Sequence, residues 1–476
     1  MFLRALTSAL LIAAIAIPNA QASADKKKKK EPEKKEEGIK TLKEVTKKCK
    51  RYGGLFTLYQ DTASGALYLL VKKDQLERDY LHFSQVADGV VDAGYFRGAY
   101  GGERLFQFAR YFERVEVRLQ STAYHFDDES PLAKASRANI NEPVLLSEKI
   151  EAANKSQDSL LIKADVLFLG EGLQQIKYPA PPNFPPGMWF DLGNLDKDRT
   201  KVVRIKGYPM NTDVVTEYVW SNPYPQNYGS TAVGDARSVA IRMHHSLIEL
   251  PTNDFRPRLD DPRVGYFNTQ VNDMTTTAAI NYRDVIHRWH LKKKDPAAAM
   301  SEPVEPITWW IENTTPTELR PAIKAGAEAW NRAFEKIGFT NALVVKEQPD
   351  TATWDAGDIR YNVLRWTSSP EPPFGGYGPS FVDPRTGQIL GADIMLEFIF
   401  VTNRMREQEI FQTAGMGYMA MSEEELMRGR DRCLFATDMH NELMFGNAVL
   451  DGMGLGEAEK SRFLKEALMD LTLHEL

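Results

Sequence analysis

A two-residue alternation of apolar and polar side chains, between about residues 52 and 300, is the feature that most constrains the fold. Segments such as GLFTLYQ, ALYLLVK, YLHFSQV and RLFQFARYFERVEVRL are short and rich in Leu, Val, Phe and Tyr. Glycine, aspartate and asparagine separate them. Because successive side chains of a strand point to opposite faces, this period is typical of half-buried β-strands. The alternation therefore predicts antiparallel β structure for this half, without a motif that carries chemistry of its own.

Length and composition limit the number of domains and the kinds of partner. The chain has 476 residues, of which 43% are hydrophobic and 26% charged, and its formal net charge is −6. A chain of this length is too long to fold around one ordinary hydrophobic core, and this composition is typical of soluble globular proteins. We therefore expect two or three domains. A general nucleic-acid binder needs a basic surface, so the negative charge argues against a nucleic-acid partner.

The first residues have the pattern of a targeting segment. Arg4 precedes an apolar run from Ala5 to Ile17, Pro18 ends that run, and small residues follow at alternate positions. The run is too short to span a bilayer, so residues 1–24 are predicted to be a secretory signal peptide. We expect an exported protein, periplasmic or extracellular, with no stable membrane span. An uncleaved anchor is the alternative.

Residues 25–38 consist almost entirely of charged residues, with one proline and one glycine. Such a segment cannot bury apolar surface, so it is predicted to be a disordered linker. A membrane-surface role for Lys26–Lys30 is an alternative, but the neighbouring glutamates favour a solvated spacer.

The chain contains two cysteines, Cys49 and Cys433. Export leads to an oxidising compartment, but two cysteines do not make a disulfide scaffold. Because they lie in segments that we assign to different domains, two unpaired residues are the simpler prediction, and a bond between them remains an alternative.

From about residue 303 the pattern changes to a mixture of strands and helices. PITWWIENT, NALVVKEQ, DIRYNVLRW and QILGADIMLEFIF predict strands. Apolar residues recur at helical spacing over 317–337, and Gly338 ends that helix. Residues 401–455 are predicted to be helical, and a last helix begins near Gly456. We expect an α+β multidomain fold, with a mixed α/β layer structure after the β-rich half.

The last helix carries the residues that could do chemistry. Phe463, Ala467 and Leu471 share one face, and His474 continues it three residues later. We therefore expect His474 to point towards the sheet. The adjacent Glu475 makes a His-Glu pair, which alone is weak evidence, because an ordinary terminal helix with a core-facing histidine has the same sequence.

The segment EALMDLTLHEL (466–476) has no capping residue, no glycine and no polar tail. An uncapped helix end leaves carbonyl groups unpaired, and a terminal carboxylate is repelled by the negative end of the helix dipole. We therefore expect the sequence to be the front part of a longer protein.

Residues 303–476 resemble the N-terminal subdomain of a metzincin-type zinc metalloprotease. The chain from 40 to 476 resembles the large bacterial secreted zinc-dependent metalloproteases that carry uncharacterised β-rich domains before the protease. The stretches that carry this resemblance are DPRVGYF (261–267), PITWWIENTTP (306–316), AIKAGAEAWNRAFEKIGFTNAL (322–343), DIRYNVLRW (358–366), GYGPSFVDPRTGQILGADI (376–394) and LTLHEL (471–476).

The resemblance implies a zinc site of the form His-Glu-x-x-His-x-x-Gly-x-x-His, with three histidine ligands and the glutamate as general base. On this chain it assigns His474 as the first ligand and Glu475 as the base, while the other ligands would lie past Leu476. It implies one Zn²⁺ ion in the longer protein, a metallopeptidase activity, and a protein or peptide as substrate. One ligand cannot hold catalytic zinc, so the chain alone is expected to be inactive.

The resemblance and the periodicity together predict the domain organisation. After the signal peptide and the linker comes a β-rich region, 39–300, which could divide into 39–95 and 96–300. Residues 301–476 are then an incomplete zinc-protease catalytic domain.

The strand GQILGADIMLEF is a candidate for substrate binding. In the related fold one edge strand lines the cleft and pairs with an extended peptide. Gln388, Leu390, Ala392 and Ile394 would supply such an edge here, and an ordinary core strand is an equal alternative.

A function without catalysis remains open. The chain could be a secreted β-rich binding module or a degenerate protease, in which case the β-rich region would be the functional part.

Other candidate metal ligands carry less weight. His244 and His245 are adjacent, so on a strand they face opposite sides and cannot easily share a metal ion. Asp383 and Asp393 could bind Ca²⁺, although VDPRTG is more simply a β-turn.

Overall fold

The computed structural model describes residues 39–136, 138–179, 187–261, 263–368, 376–397, 446, 449, 453 and 457–476. The predicted signal peptide, the charged linker, Cys433 and nearly all of the predicted helical stretch 401–455 lie outside the described residues. Cys49 is a free thiol in the part of the chain that the structure describes. The residues from Ile39 onward form one unit.

A sheet of thirteen strands occupies most of the first half, as the alternation of side chains predicts. Its order is β11-β13-β14-β5-β6-β7-β9-β10-β4-β3-β2, with β1 added to β9 and β12 added to β13. The strands, with β8 outside this sheet, are β1 (Lys40–Thr41), β2 (Cys49–Tyr52), β3 (Thr57–Asp61), β4 (Leu67–Lys72), β5 (Tyr80–Asp88), β6 (Tyr100–Tyr111), β7 (Arg114–Gln120), β8 (Tyr124–His125), β9 (Val144–Ala153), β10 (Ser159–Lys163), β11 (Asn194–Leu195), β12 (Lys201–Gly207), β13 (Asn211–Ser221) and β14 (Ser238–Glu249).

The pairings of this sheet are antiparallel, except that β1 runs parallel to β9. The sheet is nearly closed, because the segment before β3 meets the end of β12. The amide of Leu55 donates to the carbonyl of Tyr208 at 2.8 Å. A Cβ atom on Gly207 would lie 2.0 Å from the carbonyl oxygen of Gly53, so glycine permits this close approach.

The inward-facing side chains of these strands form an aromatic and aliphatic core. Phe56, Phe106 and Phe108 lie at its centre and are almost completely buried. Their rings meet edge to face, with centroids 5.3 Å apart for both Phe56–Phe108 and Phe106–Phe108. Burial of such side chains stabilises the fold by about 1.5–3 kcal/mol each.

Three short strands follow the large sheet. β15 (Asn268–Thr269) pairs with β17 (Val285–Ile286), and β16 (Asn272–Asp273) pairs with β8. They connect the large sheet to the second half of the chain.

A second sheet has six strands and is mainly parallel. Its order is β19-β18-β20-β23-β21, and β22 also pairs with β23. β18, β19, β20 and β23 are parallel, whereas β21 and β22 run antiparallel to β23. Their bounds are β18 (Ile307–Ile311), β19 (Leu343–Glu347), β20 (Asn362–Thr367), β21 (Gly376–Tyr377), β22 (Ser380–Asp383) and β23 (Gln388–Glu397).

The described helices are few and mostly short. They are α1 (Leu42–Thr46), α2 (Asp165–Phe168), α3 (Arg320–Glu328), α4 (Asn331–Lys336) and α5 (Glu457–Glu475), with 3-10 turns at Lys73–Gln75, Val91–Ala93 and Pro131–Ala135. The helix predicted over 317–337 is divided, because a turn separates α3 from α4. None of the helices in the described ranges combines the length and the apolar character that crossing a membrane requires.

The prediction of an α+β multidomain fold, with a metzincin-like α/β subdomain, is wrong. Strands account for 38% of the structure and helices for 15%, and a large, nearly closed sheet dominates it. The molecule is β-rich. The physical reason is that the period-two alternation continues through much of the chain, while helical periodicity persists over only a few short segments in the described part.

Candidate functional site

The last turn of α5 positions the His-Glu pair. Leu468, Leu471 and Thr472 are buried, and the face that they share continues to Glu475. His474 is exposed. The prediction that His474 points towards the sheet is therefore wrong. The sequence pattern indicates a buried face that ends at His474. Because α5 packs against both α3 and the second sheet, its buried face ends at Glu475 instead.

The preceding helix α3 fixes the position of α5. A Cβ atom on Gly326 would lie 2.3 Å from the carbonyl oxygen of Met469, so the two helix backbones approach closely at this glycine. The indole Nε1 of Trp330 donates to the carbonyl of Leu473 at 2.8 Å. This bond fixes the last turn of α5 to the turn that follows α3.

The side chain of Glu475 lies against two glycines at the edge of the second sheet. A Cβ atom on Gly376 would lie 2.6 Å from Oε1 of Glu475. A Cβ atom on Gly378 would lie 3.1 Å from the backbone carbonyl oxygen of Glu475. Oε1 is shielded from solvent and has no hydrogen-bond partner in the part of the chain that the structure describes. Burial raises the pKa of the Glu475 carboxyl to about 7. Such a group can exchange a proton near neutral pH.

His474 and Glu475 are neighbours in sequence, and their side chains leave α5 in different directions, since His474 is exposed and Glu475 lies on the buried face. Partial desolvation lowers the pKa of the His474 imidazole, which favours the neutral form that binds metals. Across the described ranges, no group of three or more His, Cys, Asp or Glu side chains is arranged to hold a metal ion.

The four residues predicted to pair with a substrate do not form a free edge. Gln388 pairs with Asp383 of β22 and Ala392 with Ser380, while Ile394 pairs with Leu364 of β20. On the side of β23 away from β22, the amide of Ile389 donates to the carbonyl of Arg288 at 2.9 Å.

The side chains of these residues are also engaged in the interior. Ala392 and Ile394 pack in the core beneath α3 and α5, and Leu390 packs near Phe381. Gln388 is buried and its side-chain oxygen accepts from Asn253 at 3.1 Å. The edge-strand prediction for Gln388, Leu390, Ala392 and Ile394 therefore needs correction, because sequence alternation does not distinguish an edge strand from an interior one.

The strand that ends the second sheet is β21. Gly376 pairs with Leu396 and Tyr377 with Met395, and β21 stands last in the strand order of the described residues. It also touches Glu475 through Gly376. The sequence signal for this edge is the glycine-rich run GGYG.

The two adjacent histidines of β14 face opposite sides, as their spacing predicts. His245 contacts His82 (Nδ1 to Nε2, 3.1 Å) and the Tyr218 hydroxyl (Nε2, 2.9 Å) on one face. His244 approaches Gln85 at 3.2 Å and Asp213 at 2.8 Å on the other. Burial lowers the pKa of His82 to about 3 and that of His245 well below its ordinary value, so both are neutral structural groups.

The two aspartates considered for Ca²⁺ have different roles. Asp383 accepts from the Arg385 guanidinium at 2.8 and 3.0 Å and from the Arg385 amide at 3.0 Å. These bonds lie within the segment VDPRTG and agree with a β-turn rather than a Ca²⁺ site. Asp393 is 1% exposed, and neither of its carboxylate oxygens has a hydrogen-bond partner among the residues whose positions are described. Burial raises the pKa of Asp393 to about 8, although the charge of Arg365 opposes this shift. No sequence pattern predicts that the Asp393 carboxylate is buried without a hydrogen-bond partner among the described residues.

Comparisons with known proteins concern the β-rich part of the chain. Residues 98–294 match a family model described as a domain of unknown function, DUF5117. Neither a curated protein nor a solved structure matches the chain. The matched segment covers strands from β6 to β17 and does not include α5, β21 or the His-Glu pair.

Proposed function

We propose that this chain supplies part of a zinc metallopeptidase site, in which His474 is a metal ligand and Glu475 is the general base. The proposal assigns the remaining ligands to residues that follow Leu476 in a longer protein. One observation carries it: a solvent-shielded carboxylate oxygen of Glu475 lies at the sheet edge formed by Gly376, and no described residue forms a hydrogen bond to it.

The chemistry of the two side chains fits such a site. An imidazole nitrogen is a common zinc donor, and an exposed His474 on the last helical turn is accessible to an ion. The adjacent Glu475 has an oxygen to which none of the described residues forms a hydrogen bond. When bound, zinc would polarise a substrate carbonyl and make a bound water more acidic.

In this proposal Glu475 moves a proton. Its carboxylate accepts the proton of the attacking water and passes it to the leaving amine. Contacts from Gly326 of α3 and from Trp330 in the turn after α3 hold the end of α5 in place. The Glu475 carboxylate is therefore already positioned before a substrate binds.

The geometry of β21 supports a peptide as the substrate. An extended peptide can add to the end of a sheet through backbone hydrogen bonds. β21 ends the second sheet in the described part of the chain, and its Gly376 has no side chain that would separate a peptide from Glu475. Backbone pairing would make the enzyme tolerant of substrate sequence.

The test is Glu475→Gln in the protein expressed from its complete gene. We expect peptide hydrolysis to fall by about 10²–10⁴-fold, because the general base is lost, while zinc content measured by elemental analysis stays constant. Glu466→Gln is the matched control, since Glu466 lies on the same helix and is exposed to solvent. It should leave hydrolysis unchanged.

His474→Ala separates metal binding from proton transfer. It should lower the zinc content as well as the hydrolysis rate. A complete protein that binds no zinc, or a Glu475→Gln variant with normal hydrolysis, would contradict the proposal and favour a non-catalytic binding module.

A further inference from the structure

We infer that a loop of the β-rich region, Phe96–Tyr100, is a positioning element for the Glu475 site, because it holds β21 in place from the side opposite Glu475. The inference rests on the proposed function for its catalytic meaning. It gives a role to the region whose family match begins at residue 98.

The loop contacts β21 through Tyr377. The amide of Tyr100 donates to the Tyr377 hydroxyl at 3.0 Å. The rings of Phe96 and Tyr377 meet edge to face, with centroids 5.7 Å apart and planes at 90°. One polar and one aromatic contact therefore join two segments that lie nearly 280 residues apart in sequence.

The loop also contacts the strand that pairs with β21. Gly98 has a φ angle of +87°, and a Cβ atom there would lie 2.8 Å from Cγ of Met395. Met395 is the residue of β23 that pairs with Tyr377. The left-handed backbone and the close approach both require glycine at position 98. The loop thus packs on β21 and β23 together.

The loop is itself firmly attached to the large sheet. The amide of Val86 donates to the carbonyl of Ala99 at 2.9 Å, and the amide of Gly98 donates to the carbonyl of Val86 at 2.8 Å. Tyr95, immediately before the loop, is buried and its hydroxyl donates to the carbonyl of Ile176. A rigid loop can position a neighbour, whereas a freely moving one cannot.

β21 needs such support because it is very short. It has two residues, and both pair with β23. Glu475 packs against Gly376 and Gly378 of the same segment. The segment Gly376–Gly378 is therefore packed between the loop and Glu475. If the loop contact is lost, the segment can move away from Glu475, and the displaced edge of β21 would bind an extended peptide more weakly.

The first experiment measures hydrogen exchange in the chain of residues 1–476 and does not depend on activity. Gly98→Ala should increase the exchange rates of the Gly376, Tyr377 and Gly378 amides by about 10-fold or more, because the new Cβ displaces Met395. Gly94→Ala is the matched control. Gly94 has a similar φ of +82°, but no atom lies within 4 Å of its Cβ position.

Tyr377→Phe is a milder variant that should fold normally. It removes the acceptor of the Tyr100 amide, so the exchange rate of that amide should rise several-fold. Tyr111→Phe is its control, since Tyr111 is an exposed tyrosine of β6. Unchanged exchange at both Tyr100 and Gly376–Gly378, in folded Tyr377→Phe and Gly98→Ala proteins, would overturn the inference.

The second experiment uses the complete protein and peptide substrates. A positioning role predicts that Tyr377→Phe and Gly98→Ala raise KM by about 10-fold, while kcat for saturating peptide and zinc content change little. A general loss of folded protein would instead lower kcat and zinc content together. If the complete wild-type protein hydrolyses no peptide, the proposed function fails, and the exchange data alone decide whether the loop positions β21.

Discussion

The thirteen-stranded sheet and the six-stranded sheet differ in their buried carboxylates. In the large sheet, the buried Asp213 carboxylate accepts from the Asn211 side-chain amide at 2.7 Å and from the Ser246 hydroxyl at 2.6 Å. In the second sheet and its helix, Asp393 and Glu475 retain buried carboxylate oxygens without hydrogen-bond partners. Among the described residues, these are the carboxylates with that property. Unpaired buried charges are costly, and they often mark functional sites.

The two sheets also differ in connectivity. Most pairs in the large sheet are antiparallel, and several join strands that are neighbours in sequence, such as β6 and β7. The second sheet is mainly parallel, so its strands need long crossover connections, which include α3. The large sheet resembles a scaffold whose stability comes from its core, whereas the second sheet brings distant segments together around Glu475.

The largest effect should come from the core of the large sheet. Phe108→Ala should lower the free energy of unfolding by about 4 kcal/mol, because it leaves a cavity among buried aromatic rings. Phe112→Ala is the control, since Phe112 lies four residues further on and is 79% exposed. It should change stability by less than about 0.5 kcal/mol.

Denaturant titration followed by tryptophan fluorescence measures both variants. Trp309 and Trp310 lie on β18 and Trp220 on β13, so the signal reports on both sheets. If Phe108→Ala destabilises only one of two separable transitions, the sheets unfold independently. A single shifted transition would mean that they unfold as one unit.

An intermediate effect is expected where α3 meets α5. Gly326→Ala should lower the free energy of unfolding by about 2 kcal/mol, because its Cβ would collide with the Met469 carbonyl and force the helices apart. The control is Gly234→Ala, because no atom lies within 4 Å of the Cβ position of Gly234. Thermal unfolding measures the difference, and equal stability of the two variants would contradict the close packing of α3 and α5.

The third effect is a pH dependence of stability that concerns Asp393, and it is the smallest of the three when it is taken per pH unit. Its folded pKa is raised to about 8 from an ordinary value near 3.8, so the folded state holds a proton that the unfolded state releases. Stability from this group is therefore complete below about pH 4 and is lost as the pH rises towards 8. The slope should be at most about 1.4 kcal/mol per pH unit.

Asp393→Asn should remove this slope, because the amide cannot ionise. Unfolding titrations at pH 5, 6, 7 and 8 measure it, and the variant should gain stability relative to wild type as the pH rises. Asp261→Asn is the control, since Asp261 is paired with Arg263 at the surface. An identical pH slope in wild type and Asp393→Asn would show that Asp393 is not a buried, isolated acid.

The candidate site was only partly predictable from sequence. The resemblance to zinc metalloproteases identified Glu475, but the structure placed that residue, rather than His474, on the buried face of α5. Residues of β23 were predicted to form the edge that β21 provides. Both errors have one origin, since periodicity describes a single element and does not specify what packs against it.

The contacts of the Phe96–Tyr100 loop could not have been predicted at all. Tyr100 and Tyr377 are far apart in sequence, and a hydrogen bond between them leaves no local pattern. The isolation of Asp393 is similar, because it depends on which side chains surround a strand and not on the residues next to it.

By itself, the sequence determined that the first half consists of alternating strands, that Gly338 ends a helix, and that a His-Glu pair lies on a terminal helix. These features depend on interactions within a few residues. Only the tertiary structure decided that the molecule is β-rich as a whole, that Glu475 faces Gly376, and that β21 ends the second sheet. Those outcomes depend on packing between distant segments, which local periodicity does not encode.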